Sequence, residues 1–432
     1  MYKGNSPRTS IRSVLLSRSP LAVAATLFVM ASQAHAAVNG GTVAAGAATI
    51  STNGAITTID QSTDRAVINW KSFDIGAGET VQINQPGKLS AILNRVNSTT
   101  GTHIDGELNA NGQVFVVNPN GIVVGKSGSI NANGVVLSTL NVDDRSFMVT
   151  PDRSSYGTYL FFNRVASAPE ARVVNDGTIK AGDAGISLFG SQVINSSTGA
   201  LRAAGSADSG QEQVTAINLI AADSVTATQL TNNGDNSIIN GLYVAPSSYG
   251  VSSSGNAHNL AANDGVIEAH NGPVTLAGVQ NGGAEAARNT GSITASDSTN
   301  EFYNNSVVWL GSIVSGATNV SGNINAAGWV SLQSNEAPLN IDGSITSQGR
   351  MDLNAYGYSN PSIANLNINS GANLYTSNVL QAFAWGGGAL SVNGNVTAAY
   401  PVTFGGDSVQ VRSGSVHAPY YDVFQNGKTT RY

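Results

Sequence analysis

The sequence predicts an all-β solenoid, a parallel β-helix, and three observations carry that prediction. Gly, Asn, Ser, Thr, Ala and Val dominate the 432 residues, with 49 glycines and only 11% charged residues. β-Branched residues interleaved with turn formers make many short strands joined by tight corners. A small motif, Gly then a usually polar residue then an aliphatic, recurs at Gly177, Gly265, Gly291, Gly322, Gly343, Gly394 and Gly414, with a looser copy at Gly371. From Gly265 onward the gaps are 26, 31, 21, 28, 23 and 20 residues, an irregular period of about 25 that suits stacked coils. No amphipathic helical pattern lies between the copies, and the Leu framework and Asn ladder of a leucine-rich repeat are not evident. Cysteine is absent, so the fold rests on burial and backbone pairing, not on disulfides or thiolate metal sites.

In chain order, the first 36 residues stand apart. Lys3, Arg8, Arg12 and Arg18 lead into the apolar stretch Leu21 to Ala31, and Ala34-His35-Ala36 places small residues at the two positions a signal peptidase reads. Residues 1–36 therefore read as a secretory signal peptide, with cleavage set by Ala34 and Ala36 and Ala37 as the first mature residue. The apolar run is roughly half of the ~20 residues a membrane-spanning helix needs. Losing four positive and no negative residues takes the formal charge from −6 to −10. An acidic exported chain argues against nucleic acid as a partner. No later segment is long and apolar enough to span a membrane as a helix, and "FQNGKTTRY" at the C-terminus lacks the alternation of a membrane strand.

The stretch "VFVVNPNGIVVG", residues 114 to 125, sets two apolar arms around Asn118-Pro119-Asn120-Gly121. Pro presets φ at the second position and the first Asn bonds the backbone ahead of it, as in a type I turn. Arms apolar at consecutive positions imply strands covered on both faces, hence extra strands packed outside the solenoid as a cap would be. Further on, "VVNDGTIKAG", "PLNIDGSITS" and "ALSVNGNVTA" each read as strand, turn, strand. Gly and Asn at those corners are expected to take left-handed backbone conformations.

The block from Ile68 to Val142 resembles the N-terminal secretion domain of two-partner secretion exoproteins, the filamentous haemagglutinin family. The matching features are Trp70, Ser72, Phe73, Ile75, Gly76 and Gly78, then Gln85-Pro86, the run Leu93 to Val96, Gly106 to Gly112, and Asn118 to Ile122. A second Asn-Pro-Asn motif carried by several members is not found upstream. The resemblance implies a right-handed β-helix with a short capping sheet, exported from a Gram-negative bacterium by an outer-membrane transporter that recognises the N-terminal domain. It marks Asn94, Arg95, Asn118, Pro119, Asn120 and Gly121 as transporter-recognition residues, and divides the chain into a secretion domain at residues 37–165 and a β-helical repeat region at 166–432.

A search for chemistry finds none to set against this. His103, His258, His270 and His417 are scattered without metal-ligand spacing and read as solvated turn or edge residues, so no metal, cofactor or catalytic residue is expected. Asp143-Asp144 is the adjacent carboxylate pair a β-helical glycosidase or polysaccharide lyase would make one test. Neighbours in a strand point to opposite faces, however, and a solvated loop is the better reading. The aromatic window Arg153 to Arg164, with Tyr156, Tyr159, Phe161 and Phe162, reads as packing between cap and solenoid. Trp309, Trp329, Trp385, Tyr356, Tyr358, Tyr420 and Tyr421 read as interior stacking, with an exposed row along one face as the alternative that points to carbohydrate contact. The expected function is a secreted or surface-associated, non-enzymatic type V exoprotein, adhesin-like, that travels through the periplasm and meets a host-cell or matrix carbohydrate or protein. The alternative is a β-helical carbohydrate-active enzyme with the same export domain.

Overall fold

Short strands and frequent corners force the chain to pair between coils instead of within them. The computed structural model describes residues 38–149, 158–165, 171–205, 212–213, 215–229, 237–238, 242–244, 247, 250–254, 257–296, 306–359 and 363–432. The expected signal peptide with its expected cleavage residues Ala34, Ala36 and Ala37, and Arg153 and Tyr156 of the aromatic window, lie outside the described residues. One coil runs through Gln192–Asn195, Ala200–Ala204 and Ile217–Ala221; the next repeats the order with Leu260–Asn263, Val266–His270 and the start of Val274–Asn289. The pairings Gln192↔Leu260, Ala200↔Val266 and Ile217↔Val274 are all parallel. The other two faces supply the crossover that parallel pairing requires. Repeated along the chain, this gives a 36-stranded sheet wound into a three-faced parallel β-helix, the fold class expected from the sequence.

The recurring motif occupies one structural position. Register runs Ile130↔Ile179↔Leu201↔Ile267↔Ile293↔Ile324↔Ile345↔Leu374↔Val396↔Val416, a single aliphatic stack down one face. All but the last are buried, and each contributes about 2 kcal/mol by leaving water. The motif glycines serve close approach, which corrects the left-handed expectation. Gly177, Gly265, Gly291, Gly322, Gly343 and Gly394 are not among the positive-φ glycines; of the motif, Gly414 alone is, at 72°. A Cβ on Gly291, Gly322 or Gly343 would overlap the carbonyl of the motif glycine one coil earlier.

A second internal stack is made of asparagines. Asn175 donates to Asn195 Oδ1 (2.8 Å), Asn195 to Asn263 Oδ1 (2.7 Å) and Asn263 to Asn289 Oδ1 (2.8 Å), all four side chains being buried. It is an Asn ladder like that expected of a leucine-rich repeat, here inside a β-helix. It starts at Asn175 because the preceding rung is Val124 and stops at Asn289 because the following one is Val320.

One face is closed at both edges. Thr42–Ala45 lies antiparallel on Arg65–Trp70, and Lys428–Arg431 lies antiparallel on Tyr421–Gln425. At the latter end Asn426 and Gly427, with φ of 52° and 70°, make a two-residue hairpin turn. The Arg431–Asp422 pair and the Arg431 guanidinium 3.8 Å above the Tyr420 ring hold the hairpin. An antiparallel strand on each edge covers groups that would otherwise invite pairing with another chain.

The same face carries a second hydrophobic core on its outside. A five-stranded antiparallel sheet, built from Asn141–Val142, Thr158–Asn163, Ser224–Gln229, Leu242–Tyr243 and Val251–Ser252, covers it. Leu160, Phe162, Val225, Ala227 and Phe147 pack there against Leu93, Phe115, Val117, Phe189 and Ile220 of the solenoid. Gln113–Val117 is buried at every position, so the first apolar arm beside Asn118-Pro119-Asn120-Gly121 is covered on both faces as expected. The second arm differs: Ile122–Val124 buries Ile122 and Val124 but leaves Val123 half-buried, because the extra sheet does not reach that face. In the aromatic window, Phe162 packs edge-on to Phe189 at 5.0 Å, whereas Tyr159 and Phe161 point outward and are exposed.

Asp143 is exposed and outside any strand, as the loop reading expects, whereas Asp144 opens a short helix. Asp143 caps the short helix Asp144–Met148, its carboxylate accepting from Ser146 N–H at 2.9 Å, and the Ser146 hydroxyl and amide hold the Asp143 carboxyl below its usual range. The helix is pinned by Arg65, whose Nη1 donates to Phe147 O and Nη2 to Gln229 Oε1, both at 2.7 Å. Burial pushes this guanidinium down to about 10, against the opposing charge of Asp64.

Candidate transporter-recognition surface

The turn that joins Gln113–Val117 to Ile122–Val124 is held from inside. Gly121 N–H donates to Asn118 O at 3.1 Å and Asn120 N–H to Asn118 Oδ1 at 2.9 Å, the bonds expected of Asn-Pro-Asn-Gly. Asn118 is fully buried and its Nδ2 donates to Thr100 O and Thr102 Oγ1, both at 3.0 Å. Gly121 has φ of 116°, a conformation that disfavours any side chain, and its carbonyl accepts from Thr102 N–H at 2.9 Å. Pro119 and Asn120 are left facing outward, half-buried.

Arg95 reaches the same place from the strand Ala91–Val96, where the period-two alternation puts Asn94 inside and Arg95 out. Its guanidinium donates to Asn141 Oδ1 (3.0 Å) and Val142 O (2.6 Å) and pairs with Asp144 at 2.6 Å. Asn94 accepts from Trp70 Nε1 at 3.0 Å and donates to Phe115 O at 3.3 Å, with no solvent exposure. Trp70 in turn packs edge-on to Phe73 at 5.4 Å. The matched Trp and Phe thus form the floor that fixes the strand end carrying Arg95.

These elements enclose a cleft of about 400 Å³ lined by Arg95, Val96, Asn97, Ser98, Thr99, Pro119, Asn120, Asn141 and Val165. The cleft gathers Arg95, Pro119 and Asn120 from the residues marked by resemblance. Asn94 and Asn118 lie beneath it and reach a partner only through the residues they hold; Gly121 is buried at its edge. Asn141, Ser98 and Val165 were not marked by the sequence, and the cross-sheet contact of Arg95 with Asn141 is what brings them in.

The candidate enzyme residues are placed differently. Asp144 is engaged by Arg95 and Asp143 by Ser146, so the carboxylate pair has structural partners of its own. His103, His258, His270 and His417 are exposed, and among the described residues no group of three His, Asp or Glu comes together as a metal site. Also among those residues, no helix is long and apolar enough to cross a membrane.

Four similarities to known proteins bear on this chain. A family model described as the TPS secretion domain matches residues 34–332. A heme/hemopexin-binding protein of Haemophilus influenzae is 36% identical over 156 residues, which are 36% of this chain and 17% of that protein. Another protein so named, from the same species, is 40% identical over 86 residues, 20% of this chain and 9% of its own length. The chain therefore spans only a small part of these relatives. The crystal structure of the HMW1 secretion domain from Haemophilus influenzae superposes with a TM-score of 0.62, covering 89% of this chain and all of that one, at 22% identity. At that identity the likeness is one of fold.

Proposed function

The chain belongs to the TPS secretion domain family, and from that premise we propose that it is a two-partner exoprotein whose export depends on the cleft around Arg95, Pro119 and Asn120. The observation that carries the reading is the division of labour at this cleft. Asn94, Asn118 and Gly121 are buried and fix backbone, while Arg95, Pro119 and Asn120, each half-buried, line the open cleft from two adjacent coils. Rigid backing beneath a polar, partly open surface is what a partner protein can read with little ordering cost. The reading partner is the family's outer-membrane transporter, and the recognition element falls within residues 37–165, after removal of the signal peptide at Ala36-Ala37.

Beyond export, we infer an adhesin-like, non-enzymatic binding protein, released through the periplasm to the cell surface or medium. The heme/hemopexin binding named for the relatives is not carried across, since the shared stretch is 17% of the better-covered one. Fractionation of a strain expressing the chain with its cognate transporter tests this: the chain is expected in the medium or on the cell surface, and retention in the periplasm with the transporter present contradicts it.

A further inference from the structure

Of the later aromatics, Tyr421 packs inward, edge-on to Phe404 at 5.9 Å, and half-buried Trp309 joins the second core, but three others are exposed. Trp329, Tyr358 and Trp385 are 55%, 77% and 43% exposed, and Phe424 is 43% exposed. In Leu380–Trp385, alternation sends Leu380, Ala382 and Ala384 inward and Gln381, Phe383 and Trp385 outward. The Phe383 and Trp385 rings stack at 4.6 Å and 15°. Trp385 Nε1 donates to Asn354 Oδ1 at 3.1 Å, one coil back, which fixes the tilt of the indole. Phe383, Gly405 and Phe424 share one outward column, so two aromatic residues flank a glycine. A Cβ at Gly405 would overlap the Phe383 ring, so the glycine lets that ring lie over the next coil.

Between these rings is a cleft of about 130 Å³, floored by Gly386 and Gly406 and rimmed by Asp407 and Asn426. The Asp407 carboxylate is exposed and takes part in no hydrogen bond or ion pair with a described residue. From this geometry we propose that the cleft binds one hexopyranose ring of a glycan. The proposal gives the adhesin-like reading its ligand class and rests on that reading. A pyranose offers a face of axial C–H groups that packs on a flat aromatic, and equatorial hydroxyls that need acceptors and donors at the rim. Trp385 and Phe424 supply the flat surfaces, Asp407 an acceptor and the Asn426 amide a donor. The volume lies below the roughly 300 Å³ of a pocket that swallows a drug-sized ligand, which fits a single ring held at the surface. Phe383 and Trp385 turn one face to each other, so they form a platform and not the box of ring faces that encloses a quaternary ammonium ion.

Saturation-transfer NMR of the purified exported chain with methyl glucoside, galactoside and mannoside tests the site, with choline and hemin as competing probes. Transfer to the ring C–H protons of at least one glycoside is expected. Trp385→Ala and D407N should each weaken its binding about tenfold, the loss of one good contact. D407N should melt at the wild-type temperature, since no bond to a described residue is removed, so its effect is not one of folding. No transfer from any glycoside, transfer that survives both substitutions, or transfer confined to choline or hemin overturns the proposal. If the wild-type chain still binds host cells or matrix in any of those cases, the adhesin-like reading stands and only this site falls.

Discussion

Asn120 Nδ2 donates to the carbonyl of Ser98 at 2.7 Å, tying the tip of the Asn-Pro-Asn-Gly turn to the segment that follows Arg95 one coil earlier. The two walls of the cleft are therefore one hydrogen-bonded unit. The two asparagines of the turn hold it differently, which separates their expected phenotypes.

Asn118→Ala should destabilise the domain by about 3 kcal/mol, because it removes bonds to Thr100, Thr102 and Asn120 N–H and leaves buried groups without partners. Asn120→Ala removes a half-buried side chain and should cost only about 1 kcal/mol. Chemical denaturation of the two variants measures both; equal losses would show that Asn118 is not the inner support of the turn.

Gly343→Ala should cost about 3 kcal/mol, as for overpacking, since its Cβ would overlap the Gly322 carbonyl of the neighbouring coil. Gly371→Ala, at the looser copy of the motif, meets its nearest atom at 3.3 Å and should cost under about 1 kcal/mol. Comparable melting temperatures for the two variants would remove close approach as the reason for the repeating glycine.

Much of this architecture was legible in the sequence because the repeating Gly-polar-aliphatic step is one rung position, so its spacing reads out the coil directly. The fully apolar run Val114 to Val117 likewise announced a strand covered on both faces. What stayed hidden depends on which way a corner residue turns. Asn175, Asn195, Asn263 and Asn289 look like turn formers, and only the stacking of their coils turns them inward; an Asn at or shortly before a motif-like glycine was the available signal. The helix Asp144–Met148 has one turn and no periodicity to detect. The outward row at Trp385 differs from an interior row only by a one-residue register, which composition does not carry.

Asn263→Ala should cost about 3 kcal/mol, more than the same change at an exposed asparagine, because Asn195 Nδ2 and Asn289 Oδ1 lose their shared partner inside the solenoid. Thermal melts beside Asn395→Ala, whose side chain is exposed, make the comparison. A similar loss at both positions would show that the ladder adds nothing beyond a surface contact.

Burial raises the Asp264 carboxyl, but hydrogen bonds from Arg288 and Thr290 outweigh that and leave it below its ordinary value; the same partnership raises Arg288. A carboxyl depressed in the folded state stabilises it above the unfolded value of about 4 and loses that contribution as pH falls through the folded value. Asp264→Asn should thus destabilise the chain by about 2 kcal/mol at pH 7 and much less at pH 3. A difference between variant and wild type that is the same at both pH values contradicts the assignment.

If the transporter reads the cleft formed by Arg95, Pro119 and Asn120, as proposed, that cleft is more than a corner of the solenoid. The most direct test is a secretion assay of Asn120→Ala with the cognate transporter, run beside a thermal melt of the purified chain. Export should fall several-fold while stability falls by only about 1 kcal/mol; normal export of a variant whose melt is lowered by that amount would reduce Asn-Pro-Asn-Gly to a turn and overturn transporter recognition at this cleft.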